Sequence, residues 1–347
     1  MSTRLVPDRA RRVAICLTAL LAAGCGGGGG GSTSVPPPEL IQITAQNEDA
    51  VARVTAATFF SMTGVSSMTM PAPPAPAKAS GVSDVAARAL GVAVAPARRA
   101  DAKVRLMAVA SVTEQCAFGG TVTVTIDDRD GNGFVSAGDL MTIVFAQCKP
   151  TATSLTDGTL AFAVTGASAT PTTLQLNGTF TFQQMTMVDD GYTSAINGST
   201  EVVYTESVDA ANTLTVRVDM TVTAGGLVAA GSTPRFTDTF TYDAGFRAVT
   251  TDVMPTLATP HSTAALDGTV HSASLGGRIR LETDPMNPIH DTWGQEFPDS
   301  GKVTIHGKAS HLRLTVIDSV TVRCELDDDD DGAMEQSHEM LWTELMP

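Results

Sequence analysis

Thr121-Val122-Thr123-Val124-Thr125-Ile126 alternates polar and apolar side chains with a period of two. Successive side chains of an extended chain point to opposite faces, so this pattern predicts a strand with one buried face. The same alternation returns in later segments of the chain, which are 179–182, 201–205, 214–218, 236–242 and 303–316. The sequence therefore predicts a mainly β protein in which these segments are half-buried antiparallel strands.

Pairs of Asn-Gly and Asp-Gly accompany these segments. Asp157-Gly158, Asn177-Gly178 and Asn197-Gly198 follow one another at intervals of 20 residues, and Asp267-Gly268 comes later. Both residue types tolerate positive φ, so such pairs favour tight hairpin turns. We therefore expect an antiparallel up-and-down meander, either a curved sheet or an open barrel, with a short N-terminal helical arm. A solenoid of repeated units is the alternative.

Residues 39–100 differ in composition from the β-rich chain that follows. Asn47 is placed to cap a helix that continues towards Phe60, and 83–90 predicts a second short helix after Pro- and Ala-rich sequence. We expect a helical or low-complexity arm over 39–100 and an antiparallel β-body over 101–347. The residues on the predicted buried side of the first helix are Val51, Val54 and Thr58.

An acidic segment, 128–139, follows the first alternating strand and reads Asp-Arg-Asp-Gly-Asn-Gly-Phe-Val-Ser-Ala-Gly-Asp. It resembles the calcium loop of EF-hand proteins, and dockerin-like loops also end in Asp. Because strands flank it, we expect a structural Ca²⁺ loop at a hairpin tip, and a solvated acidic turn is the alternative. The ligands that the resemblance implies are Asp128, Asp130, Asn132, the carbonyl of Phe134, Ser136 and Asp139.

A second acidic segment, 327–335, also follows a strand pattern and contains five consecutive aspartates. Bringing five carboxylates together is unfavourable, and a cation would relieve the repulsion. The loop spacing is kept up to position nine, but position twelve is His338. We predict a second calcium site here, again with a solvated turn as the alternative. Its expected ligands are Asp327, Asp329, Asp331 and Glu335.

The cysteines of the β-rich part are Cys116, Cys148 and Cys324. The midpoint of the first two falls inside the first acidic loop, which would place them almost symmetrically on the two flanking strands. Cross-strand bonding is feasible in that arrangement, so we predict a Cys116–Cys148 disulfide. Cys324 is then a free and buried thiol.

The N-terminus has the features of an export signal. Arg residues precede an apolar run, 13–23, that is too short to span a bilayer. Leu20-Leu21-Ala22-Ala23-Gly24-Cys25 resembles the lipobox of bacterial lipoproteins. The resemblance implies removal of residues 1–24, lipidation of Cys25 and, because Gly26 follows, the outer membrane. The Gly/Ser/Pro-rich stretch 25–38 is the predicted tether. An ordinary secretory signal is the alternative.

The net charge of the chain is −15 at pH 7, and loss of 1–24, with four Arg and one Asp, would lower it to about −18. Such a body is repelled by nucleic acid and suits divalent cations. The chain lacks the Gly-x-Ser-x-Gly, His-Glu-x-x-His and dinucleotide-binding motifs. His306 and His311 are an odd number of residues apart and, on one strand, would face opposite sides.

These observations predict an outer-membrane-anchored lipoprotein with a calcium-stabilised β-body and a non-catalytic binding or structural role. Its partner would be an apolar ligand or another envelope component. The chain also resembles uncharacterised proteobacterial β-rich lipoproteins, which implies no activity. One alternative is a cell-envelope hydrolase with paired carboxylates such as Asp127 and Glu201. Another is a surface adhesin.

Overall fold

The computed structural model describes residues 39–63, 110–132, 135–189, 192–232 and 237–345. In these residues sixteen strands form one sheet, accompanied by helices α1 (Glu48–Thr63) and α2 (Trp342–Leu345). The strands are β1 Ala110–Gln115, β2 Thr121–Asp127, β3 Leu140–Cys148, β4 Leu155–Ala169, β5 Thr173–Asp189, β6 Tyr192–Val208, β7 Leu214–Ser232, β8 Thr237–Tyr242, β9 Arg247–Met254, β10 His261–Ser272, β11 Gly277–Thr283, β12 Ile289–Thr292, β13 Gly301–Gly307, β14 Ser310–Val316, β15 Thr321–Asp327 and β16 Gln336–Leu341.

The sheet is an antiparallel meander. Neighbouring strands of the chain pair with each other from β1 to β16, apart from two interrupted strands. Strands β8 and β9 lie end to end between β7 and β10, and β11 and β12 lie end to end beside β10. In the described residues β1 and β16 each pair with one strand, so they are the two edges of the sheet. The predicted mainly β, up-and-down fold with a short N-terminal helix is confirmed.

Glycines bend the long central strands. Strands β4 to β7 contain 15, 17, 17 and 19 residues. Gly158, Gly178, Gly198 and Gly268 lie inside strands, so the prediction of hairpin turns at these positions was wrong. Gly158 and Gly198 have φ values of +112° and +129°, and the pairing register shifts beside each. Both are therefore β-bulges, which take up the positive φ that the dipeptides favour.

Each bulge is hydrogen-bonded to the neighbouring strand through the residue that precedes its glycine. The backbone and side-chain nitrogens of Gln147 donate to the carboxylate of Asp157 at 3.2 and 2.7 Å. The backbone nitrogen of Gln184 lies 3.4 Å from the amide oxygen of Asn197. Both glutamines have a φ of +50°. Each bulged glycine thus lies beside a positive-φ glutamine on the neighbouring strand. The backbone irregularities form a row across β3, β4, β5 and β6.

The segment 303–316, expected as one alternating strand, is a hairpin. Strands β13 and β14 are joined by a tight turn in which Ala309 has a φ of +47°. His306 and His311 are directly opposed partners across this pair. They therefore lie on the same face of the sheet, and the expectation of opposite faces was wrong. The turn carries neither Asn-Gly nor Asp-Gly, and its sequence signal is the change of apolar phase between Ile305 and Leu312.

Helix α1 begins where the sequence predicts. The carbonyl of Asn47 accepts the first helical hydrogen bond from the Val51 nitrogen at 2.9 Å. The side chain of Asn47 accepts from the backbone nitrogen of Thr44 at 2.8 Å, so it closes the preceding turn. Val51, Val54 and Thr58 are buried, as predicted. Ala52 and Phe60, on other sides of the helix, are buried too, because the helix is covered on most of its circumference.

The helix belongs to the same hydrophobic core as the sheet. Phe59 and Phe60 pack edge to face, and Phe60 packs against Trp342 of α2 with ring centroids 5.9 Å apart. Burying each such side chain contributes about 1.5–3 kcal/mol. Residues 39–63 are therefore helical in part, as predicted, but they pack into the body of the protein and do not stand apart from it as an arm.

The chain before the helix crosses one end of the sheet. Ile41 donates to the carbonyl of Arg278 at 2.9 Å and accepts from Lys308 at 2.7 Å, and Ile43 donates to the Ser310 hydroxyl at 2.8 Å. The predicted signal peptide, Cys25, the tether and the second helix at 83–90 lie outside the described residues. No helix among the described residues is long and apolar enough to cross a membrane.

Candidate metal centres

The first acidic loop joins β2 to β3 at a hairpin tip, as the sequence predicts. Asp127 and Leu140 are the last paired residues before it. Asp128 and Asp139 are buried, with 7% and 2% of their surfaces exposed, whereas Asp130 is exposed. One carboxylate oxygen of each of these three aspartates lies within 4.8 Å of the others. Positions 1, 3 and 12 of the loop therefore converge.

Hydrogen bonds from within the loop hold these carboxylates. Asp139 accepts from the backbone nitrogens of Arg129 and Ser136 at 3.1 and 2.7 Å. Asp130 accepts from the backbone nitrogen of Asn132 at 3.0 Å and from the Ser136 hydroxyl at 2.9 Å. These two donors, the Asn132 N–H first, lower the pKa of Asp130. Asp130 therefore presents charged oxygens at neutral pH.

Two of the expected ligands, Asn132 and Phe134, are not shown in a position to bind a cation. The side-chain nitrogen of Asn132 donates to Asp130 at 2.6 Å, so the amide oxygen would have to turn inward to bind a cation. Phe134, whose carbonyl was expected at position seven, lies outside the described residues. Ca²⁺ takes six to eight oxygen ligands. The three carboxylates and the Ser136 hydroxyl supply a large part of such a set.

The disulfide lies at the other end of the same hairpin. Cys116 and Cys148 are bonded, with Cα atoms 5.4 Å apart, as predicted. Cys116 follows β1 and does not lie on β2, so the expected symmetrical placement on the two strands was wrong. The bond joins the β1–β2 turn to the end of β3, where Phe118 also donates to the Lys149 carbonyl. Strand β2 separates it from the acidic loop by about 20 Å.

The second acidic loop joins β15 to β16. Asp327 is fully buried, and its two carboxylate oxygens accept from the backbone nitrogens of Asp330 at 2.6 Å and Gly332 at 2.8 Å. Burial by itself raises the pKa of Asp327, but these N–H groups and the nearby His311 outweigh it and lower the pKa. The four predicted ligands converge within 4.8 Å, and they are Asp327, Asp329, Asp331 and Glu335.

The histidines near this loop take different places. His311 of β14 lies 3.1 Å from Asp330 and 3.6 Å from Asp327, so it adds a nitrogen beside the carboxylates. His338, at position twelve of the motif, is not among the converging ligand atoms of this loop. It lies on β16 opposite Cys324 and next to the first turn of α1. The sequence pattern found neither relationship, because both depend on strand pairing.

Another polar group is buried on the inner face of the sheet. Asp252, Ser262 and Asp291 are direct neighbours in register across β9, β10 and β12, and each is at most 5% exposed. The indole nitrogen of Trp293 donates to the Ser262 hydroxyl at 3.0 Å. The sequence signal for this group is that Asp252 and Asp291 occupy positions that the alternation along β9 and β12 would give to buried apolar side chains.

The carboxylate pair suggested for a hydrolase is not brought together. Asp127 ends β2 and is 3.3 Å from Arg129, whereas Glu201 lies on β6. Four strand spacings of about 4.8 Å place them roughly 19 Å apart along the sheet. The two carboxylates of glycosidases are about 5–9.5 Å apart. This pair therefore cannot act together on one glycosidic bond.

A shallow apolar groove lies beside the bulges of β5 and β6. Its volume is about 170 Å³, and Met185, Ile196 and Val228 are among the residues that line it. Pockets for small-molecule ligands are about 300–1,000 Å³. The groove is therefore too small to enclose a lipid chain.

The chain matches no protein-family model, no curated protein and no solved structure. The functional argument therefore rests on its own residues.

Proposed function

We propose that this protein is a lipid-anchored component of the bacterial outer membrane whose β-body is stabilised by Ca²⁺ at its acidic hairpin loops. The observation that carries the calcium part is the convergence of Asp128, Asp130 and Asp139 within 4.8 Å at loop positions 1, 3 and 12. All three offer only oxygen ligands, which a hard cation such as Ca²⁺ prefers. The role is structural or binding and not catalytic.

The second loop supports the same proposal. Asp327 accepts backbone hydrogen bonds from the fourth and sixth positions of its loop, which arranges the chain around a central carboxylate. The remaining oxygens of Asp329 and Asp331 are exposed and available to an ion. Both loops close hairpins at strand ends, so an ion in each would hold two strands together where pairing ends.

Calorimetric titration of the full chain with Ca²⁺, after treatment with a chelator, tests the calcium part. We expect Asp128→Asn/Asp130→Asn to abolish binding at the first loop and Asp329→Asn/Asp331→Asn to abolish it at the second. A Glu114→Gln/Glu201→Gln variant is the control, because it removes the same charge from exposed positions on β1 and β6. If the control loses as much binding as either loop variant, the ion is held by net charge and the proposal fails.

The anchor is supported by the sequence from Leu20 to Cys25 and is tested separately. Production of the full chain in a Gram-negative host should give an acylated Cys25 at the mature N-terminus in mass spectrometry. The Cys25→Ser variant should lose the acyl chains and leave the membrane fraction. Recovery of an unmodified mature chain from the periplasm would support the plain secretory alternative instead.

A further inference from the structure

A third group of metal-binding side chains lies away from both acidic loops. Glu48 and Asp49 occupy the first turn of α1, and His338 lies on the edge strand β16. The two ring nitrogens of His338 are 3.8 Å from a Glu48 oxygen and 3.3 Å from an Asp49 oxygen. One ligand atom of each residue lies within 4.8 Å of the others.

The Glu48 side chain is the second and independent observation. It is 8% exposed, and its oxygen Oε2 is buried without a hydrogen-bond partner in the described part of the chain. A buried and unsatisfied carboxylate oxygen is costly. Burial raises the pKa of Glu48, although the nearby His338 acts in the opposite direction. A cation bound between Glu48, Asp49 and His338 would neutralise the carboxylate to which this oxygen belongs.

The surroundings favour a borderline transition metal over Ca²⁺. An imidazole nitrogen together with two carboxylates suits Zn²⁺ and similar ions, whereas the two acidic loops offer mainly oxygens. His338 and Asp49 have side chains that are 35% and 54% exposed. An ion therefore has a path to the site, and water can complete its coordination.

Cys324 lies on β15 beside His338 of β16, and the two side chains point to the same face of the sheet. It is the register partner of His338 and is buried. Burial, and then the charges of Asp49 and Glu48, raise the pKa of its thiol to about 12. Its sulfur is not in the group of converging ligand atoms. We assign it a packing role.

We propose that Glu48, Asp49 and His338 bind a divalent transition metal, with Zn²⁺ as the ion that fits best, and that this ion fastens the start of α1 to the edge strand β16. The site is separate from the two calcium loops and does not depend on them.

The test is titration of the full chain with Zn²⁺ in the presence of saturating Ca²⁺, so that the acidic loops are occupied. We expect one Zn²⁺ per chain, with affinity at least tenfold weaker in His338→Gln and in Glu48→Gln. His311→Gln is the matched control, because His311 also lies beside two carboxylates, Asp327 and Asp330. The control should bind as the unmodified chain does.

An unchanged affinity in His338→Gln, or a loss confined to His311→Gln, would overturn the proposal. The absence of stoichiometric Zn²⁺ binding in the unmodified chain would overturn it as well. A melting curve of each variant without metal shows whether it is folded. Asp49→Asn, at the most exposed of the three positions, is the second variant and should weaken binding without disturbing the core.

Co²⁺ reports the ligand set directly. With Cys324 outside the coordination shell, the Co²⁺-loaded chain should show ligand-field bands and no thiolate-to-metal charge-transfer band. A charge-transfer band that disappears in Cys324→Ala would overturn the three-ligand assignment. A spectrum that is unchanged in Cys324→Ala and altered in His338→Gln supports it.

Discussion

The hydroxyl of Tyr242 in β8 and the hydroxyl of Ser61 in α1 are hydrogen-bonded at 2.6 Å, although 181 residues separate them in the chain. Tyr242 is fully buried. Burial raises the pKa of this phenol, and the Ser61 and Thr58 hydroxyls beside it only partly oppose the shift. The phenol is therefore neutral at pH 7, and its hydrogen bond joins α1 to β8.

Replacement of Tyr242 by Phe should lower the free energy of unfolding by about 1 kcal/mol, the net contribution of one buried hydrogen bond. Denaturant unfolding measures it. The Ser61→Ala single variant and the double variant complete the cycle, and the double variant should cost little more than Tyr242→Phe alone. Additive losses would mean that the two hydroxyls do not interact in solution.

The bulge at Gly158 should not tolerate a side chain. Gly158 has a φ of +112°, and a Cβ there would lie 2.5 Å from the carbonyl oxygen of Gln184. Gly158→Ala should therefore destabilise the protein by more than about 1 kcal/mol. Gly231→Ala in β7 is the control, because a Cβ there meets nothing within 4 Å. A similar melting temperature for both variants would show that the bulge is not strained by alanine.

Removal of the disulfide should lower the free energy of unfolding, by an amount that grows with the logarithm of the length of chain that it closes. Cys116 and Cys148 are 32 residues apart. The chain-entropy treatment gives about 3–4 kcal/mol for a loop of this length. Urea unfolding of Cys116→Ala/Cys148→Ala, compared with the unmodified chain, measures the difference. Cys324→Ala is the control, since it is the free cysteine of the described residues. No loss in the double variant would contradict the prediction.

Stability should decrease in acid. Burial by itself raises the pKa of Asp219, but Arg247, at 2.5 and 2.8 Å, and Arg217 outweigh it and lower the pKa. The stabilising contribution of such a carboxylate is present above its unfolded pKa of about 3.9 and is lost as pH falls through the lower folded pKa. Melting temperatures between pH 7 and pH 2 should decline, and Asp219→Asn should reduce this slope.

Ionisation of Glu48 should destabilise the folded state, in contrast to ionisation of Asp219. Its pKa is raised, so the folded state holds this carboxylate at a cost above the ordinary pKa. In the presence of a chelator, Glu48→Gln should raise the melting temperature at pH 7, and the difference should disappear below about pH 4. A lower melting temperature at pH 7 would indicate that the His338 ion pair outweighs the burial of Glu48.

Local sequence was sufficient for the fold class and for both acidic loops. Alternation such as Thr121–Ile126 defines a half-buried strand wherever it occurs, and the spacing of Asp128, Asp130 and Asp139 sets which side chains meet in one short loop. These features depend on residues within about a dozen positions of one another, so the chain carries them without reference to its neighbours.

Contacts between distant segments decided the rest. Asn197-Gly198 favours positive φ, which both a hairpin turn and a β-bulge require. The pairing of β6 with β7 decides that it is a bulge. The hairpin of β13 and β14 brings His306 opposite His311, and β16 carries His338 to Glu48 at the other end of the sequence. Positive φ, burial and register are satisfied jointly across strands, and no single stretch of the chain contains that information.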